Sequence, residues 1–172
     1  PIKKILSVIT IIGLISFVLL TILASVLGLF EGNSEYRIFD YEFAWTAEQV
    51  NKIFKSWGPE VKHRIAIGIY FDFIYILAYV SLMFGCLLIV SRKLEGSLQT
   101  TGLYMTLMPF IAGIFDVIEN INLLLMISDE DYIGMGCPFV ASICAMIKFT
   151  LIGVCIIFFL ISIIIIVIKK NN

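Results

Sequence analysis

The sequence predicts an all-α membrane protein: a bundle of four transmembrane helices, with a short extracytoplasmic amphipathic helix between spans 1 and 2. Three observations predict it. Of the 172 residues, 60% are hydrophobic, against roughly 45–50% in a soluble domain, and mean hydropathy is +1.05. The excess is gathered into four stretches, each longer than the roughly 20 residues that cross hydrocarbon. Lysine and arginine gather beside those stretches and not within them, Lys148 excepted. The chain reads as a single membrane domain over residues 1–172, with spans at about 5–30, 65–90, 102–127 and 138–168.

Span 1 follows Lys3 and Lys4 and runs from Ile5 to Phe30. A secretory signal shares the basic start, but its apolar region is only about 7–15 residues long. This run is longer, so it reads as a membrane helix. Residues 31–64 form the one sizeable polar segment. Glu31, Glu35, Asp40, Glu42, Glu48 and Glu60 are interleaved there with Arg37, Lys52, Lys55, Lys62 and Arg64. Thr46 followed by Gln49 has the form of a capping box, and Trp45 can staple against Val50. Val50, Ile53, Phe54 and Trp57 then share one helical face, and Gly58-Pro59 stops the helix. The segment reads as an amphipathic helix lying on the membrane with both tryptophans at headgroup level, or packed on the tops of the spans.

Span 2 runs from Ile65 to Val90 and is followed by Ser91-Arg92-Lys93. Span 3 runs from Gly102 to Ile127 and is followed by Asp129-Glu130-Asp131, which lacks the spacing of a calcium loop and reads as a solvated turn. Span 4 runs from Pro138 to Ile168 and ends in Lys169-Lys170. Lys3, Lys4, Arg92, Lys93, Lys169 and Lys170 fall on one side if both termini are cytoplasmic, and the 128–137 loop, without Lys or Arg, falls outside. A bacterial inner (plasma) membrane is the default location.

Several function classes drop out. Net charge is −1, and no basic patch with interleaved aromatics suggests nucleic acid. Cys86, Cys137, Cys144 and Cys155 form no CxxC, and the only histidine is His63, so zinc and dithiol sites lack their ligands. No nucleophile elbow, phosphate loop, HExxH or dinucleotide fingerprint is present.

What remains is charge inside the apolar spans. Asp72, Asp116, Glu119 and Lys148 would each cost about 2.5–3.5 kcal/mol at the bilayer centre if charged and alone. At about 1.5 Å per residue they share one layer, roughly 10–16 Å below the outer surface. Asp116, Glu119 and Asn120 occupy one face of span 3, extended by Pro109, Ala112 and Gly113. Asp72 shares a stripe with Gly68, Tyr75 and Tyr79. Lys148 shares one with Ala141, Cys144 and Cys155, and span 1 lines up Ser7, Thr10, Thr21, Ser25 and Gly28.

Three acids against one lysine predict a shared proton, a bound cation or a cationic ligand group in the layer. No cofactor is evident, although these oxygen ligands suit a hard cation. The binding set is Asp72, Tyr75, Tyr79, Asp116, Glu119, Asn120 and Lys148.

Three functions follow as expectations. The first is binding or conduction of a proton, a cation or a small cationic solute, conduction requiring a homo-oligomer for which Ala141-xxx-Ala145 offers a close-packing face. The second is an intramembrane enzyme acting on a lipid-like substrate from the outer leaflet. Asp116 or Glu119 would be acid or base and Lys148 the electrostatic partner, with His63 and Arg64 on the headgroup phosphate or simply anchored in the interface. The third is a structural or partner protein whose polar layer only locks the bundle. There Lys148 would bridge Asp72 and Glu119, with Asp116 left over.

Overall fold

The computed structural model describes residues 2–32 and 35–171, and side chains for 7–32 and 35–170. The side chains of Lys3 and Lys4, which the orientation argument uses, lie outside this set. The elements are α1 (Ile2–Val26), α2 (Ile38–Glu42), α3 (Ala47–Ser91), α4 (Gly96–Met105), α5 (Met108–Ser128), α6 (Asp131–Gly134) and α7 (Cys137–Asn171). Among the described residues there is no strand. Four helical stretches are long and apolar enough to cross a membrane: Ser7–Val26, Ala47–Ser91, Gly96–Ser128 and Cys137–Lys170.

The boundaries differ from the sequence reading for identifiable reasons. α1 stops at Val26, not Phe30, because Gly28 takes φ 59°. Gly28 N–H then bonds Ser25 C=O and Leu29 N–H bonds Ala24 C=O, a Schellman closure that satisfies the last carbonyls. The amphipathic helix and span 2 form one element, α3, bent but not separated at Gly58 (φ 66°, ψ −178°). Pro59 lacks a donor, yet the first turn of a restarted helix needs none. Thr46 Oγ1 does cap α3, accepting from Gln49 N–H at 3.3 Å. Span 3 begins at Gly96 and jogs at Thr106–Leu107 between α4 and α5, where Pro109 interrupts the hydrogen-bond ladder. The acidic turn forms the short α6, and Glu130 pairs with Lys62 at 2.9 Å.

The amphipathic face of residues 47–57 points inward. Val50 and Ile53 are fully buried, and Phe54 and Trp57 nearly so, against Ile65, Ile69, Leu123, Met126 and Ala141. The helix is therefore packed on the ends of the spans. Trp57 is not at an interface: its indole N–H donates to Tyr36 C=O at 2.9 Å inside this core. Trp45 is 37% exposed and meets Phe139 edge-on.

The long helices pack in sequence, α1 on α3, α3 on α5 and α5 on α7, with a lesser α3–α7 contact. Small residues set the distances. A Cβ on Gly13 would stand 2.8 Å from the Leu82 amide nitrogen, one on Gly85 would collide with Thr10, and one on Gly113 would press on Val80 and Ile76. Ala141 and Ala145 are both fully buried within the chain, so the proposed oligomer face already serves intramolecular packing. Among the described residues α1 has no comparable interface with α5 or α7. The helices thus form an arc, and a gap is left between its ends.

Candidate functional site

That gap is a cavity of about 1350 Å³, partly open to the outside. Its walls come from α1, α3, α5 and α7, and α2 covers one end with Arg37, Ile38, Phe39 and Glu42. Phe39 and Phe43 pack on Phe149 at 5.8 and 5.9 Å and close the cover against α7. The lining is mainly apolar. Its polar exceptions lie toward α2, and the far arm is lined by Leu82, Met83, Leu87, Ile156 and Phe159 together with the thiols of Cys86 and Cys155.

The polar layer forms, with Lys148 on Glu119 as expected but on Asp116 in place of Asp72. Lys148 Nζ lies 2.9 Å from Asp116 Oδ1 and 2.8 Å from Glu119 Oε2, and 4.8 Å from the centre of the Phe149 ring. Asp116 is therefore the hub and not the residue left over: Tyr79 O–H donates to its other oxygen at 2.9 Å. Asp72 does not reach Lys148. It accepts from the Asn120 amide at 2.7 Å, and its carboxyl also meets that of Asp116. The i, i+3, i+4 spacing of Asp116, Glu119 and Asn120 produced the shared face, and all three are buried.

The remaining candidates have other partners. Tyr75 O–H contacts Thr21 Oγ1 at 3.1 Å, and Thr21 in turn donates to Phe17 C=O, tying α3 to α1. Arg64 donates to the carbonyls of Glu31 and Gly32 at 3.0 and 3.1 Å, so it pins the turn after α1. His63 is exposed.

Sequence reasoning missed Glu42. It counted among the acids of the polar segment, yet it lines the cavity, and its Oε2 is buried with no hydrogen-bond partner among the described residues. Burial pushes its carboxyl up to about 7; Lys148 opposes the shift, and Asp72 and Asp116 add to it. Tertiary contacts put it there. Ser142 Oγ donates to Glu42 C=O at 2.9 Å and accepts from Trp45 N–H at 3.0 Å, and Tyr41 O–H reaches Leu123 C=O at 2.8 Å. The one local sign was Glu42 itself, an acid among Phe39, Tyr41, Phe43 and Trp45.

The layer thus holds four acids, Glu42, Asp72, Asp116 and Glu119, around Lys148. Glu119 Oε1 has no hydrogen-bond partner among the described residues and does not line the cavity. Among those residues no group of three or more His, Cys, Asp or Glu side chains is placed to hold a metal ion. No family model matches the chain, and neither a curated protein nor a solved structure shows significant similarity to it.

Proposed function

We propose that this is an integral membrane protein of four spans, with both termini cytoplasmic and the α2 side outside, that binds a small cationic group at its intramembrane acidic layer. The observation that carries the reading is that the cavity reaches Glu42, Asp72 and Asp116, where negative charge exceeds positive. Two carboxylates in contact, as at Asp72 and Asp116, call for a cation or a shared proton between them.

The layer divides by role. Asp116, Glu119 and Lys148 hold α5 to α7, and with Tyr79 on Asp116 they act as a strut. Asp72, Asn120 and Glu42 face the opening and form the binding side. Among the described residues the far arm of the cavity carries no charged side chain, so those residues offer a cation a seat and no onward path. This favours binding over conduction.

The test is a thermal-unfolding titration of purified protein in neutral detergent with ethylammonium, sodium and magnesium ions at fixed ionic strength. A ligand that binds only the folded state raises Tm saturably. At least one of these cations is expected to do so in the wild type, with the rise lost in Asp72→Asn. A Tm indifferent to every cation, with Asp72→Asn unfolding like wild type, sinks the proposal.

A further inference from the structure

Cavity size and charge placement say more about the ligand than its sign. A bare cation or a methylammonium-sized group needs a small fraction of about 1350 Å³, and pockets for drug-sized ligands run to roughly 300–1000 Å³. An apolar arm of this kind does not favour water. The arm therefore calls for an apolar occupant joined to the cationic group.

Access points the same way. α1 leans on α3 alone among the described spans. Leu14 on α1 and Ile156 on α7 both line the cavity and are about half exposed, at 49% and 48%. In a bilayer that surface faces acyl chains, so the opening between α1 and α7 is a sideways portal.

The polar end selects the head. Glu42 Oε2 is buried without a donor, and Asp72 receives one donor, from Asn120. Buried acceptors left unpaired are costly. A protonated amine brings N–H donors as well as charge. A quaternary ammonium brings charge alone, and an alcohol brings one donor with no charge.

We propose that the cavity holds an amphiphilic amine, a protonated primary amine on a long aliphatic tail, which enters sideways from the bilayer between α1 and α7. The amine lies against Glu42 and Asp72, and the tail lies along Leu82, Leu87, Ile156 and Phe159. Moving a tail from lipid into an apolar cavity is nearly an even exchange, so the head supplies the affinity and the tail supplies the route and orientation. This inference rests on the cation-binding reading above, and the experiment separates the two.

Wild-type protein in maltoside detergent is titrated with dodecylamine, dodecyltrimethylammonium, dodecanol and ethylammonium, with Tm as the readout. Dodecylamine is expected to give a saturable rise and the other two dodecyl compounds none. Glu42→Gln and Asp72→Asn are expected to weaken dodecylamine at least tenfold. Leu14→Trp, which narrows the portal without touching the acids, is expected to weaken dodecylamine and spare ethylammonium. If ethylammonium binds while dodecylamine either fails to bind or ignores Leu14→Trp, the amphiphile is overturned and cation binding stands. Equal binding of dodecanol overturns the amine head. Unchanged dodecylamine binding in Glu42→Gln, with an apo Tm showing an intact fold, overturns the placement of the head. No response to any amine overturns the amphiphile, and no response to sodium or magnesium either overturns both proposals.

Discussion

Lys148 and Glu42 show how differently two charged residues can be held in one layer. Lys148 sits between two carboxylates and beside an aromatic face. Replacing it with Met leaves Asp116 and Glu119 buried and uncompensated, which costs about 3–5 kcal/mol where a buried pair is broken. Lys148→Met is therefore expected to lower the unfolding midpoint sharply, and Asp116→Asn combined with Lys148→Met is expected to recover part of the loss. An unchanged midpoint in the single variant would show that the strut carries no stability.

Glu42 acts through pH. Its carboxyl stands at about 7 in the folded protein against an ordinary 4.5, so the folded state holds a proton that the unfolded chain releases between those values. Stability should fall as pH rises through that window, by at most about 3 kcal/mol, and then level off. Burial sets most of this, with Lys148 opposing it and Asp72 and Asp116 adding to it. Glu42→Gln is expected to flatten the slope between pH 4.5 and 7. Cation binding by the wild type should strengthen over the same window, because only the ionised carboxylate attracts a cation.

At the scale of the element, close packing of helix backbones decides more than helix propensity. Gly13 and Gly153 are both glycines inside long helices, where Ala would be favoured by about 1 kcal/mol on propensity alone. A Cβ on Gly13 meets the backbone of Leu82 and Ser81, whereas one on Gly153 meets nothing within 4 Å. Gly153→Ala is expected to leave Tm unchanged or slightly raised. Gly13→Ala is expected to lower it, because α1 must lift off α3 and has no other helix to lean on. Equal shifts for the two would show that the α1–α3 contact is loose.

For the whole molecule, labelling reads the orientation across the membrane. In a cysteine-free background, Lys55→Cys at the α3 start is expected to react with a membrane-impermeant maleimide added to intact cells. Lys93→Cys, in the α3–α4 link, is expected to react only after the cells are opened. The reverse pattern would invert the topology and put the covered end of the cavity inside. Glu95 in that link pairs with Lys169 at 2.5 Å, so the α3–α4 link and the basic end of α7 meet at one end of the molecule.

The sequence by itself determined the helical class, the four long apolar stretches and four of the five charged members of the buried layer, Asp72, Asp116, Glu119 and Lys148. These rest on local quantities: run length, 3.6-residue periodicity, and the penalty for charge in an apolar stretch, which holds whatever the neighbours are. Tertiary structure alone decided the pairing. Asp116, and not Asp72, took Lys148, because α5 and α7 form the most extensive helix pairing of the molecule while Asp72 on α3 lines the gap. It also decided that Glu42 joins the layer, through a polar clasp to Ser142 a hundred residues away. Spacing along one chain cannot encode such a contact. The cavity belongs to the same class of fact: it exists because, among the described residues, α1 packs extensively on α3 alone, and no residue in α1 says so by itself.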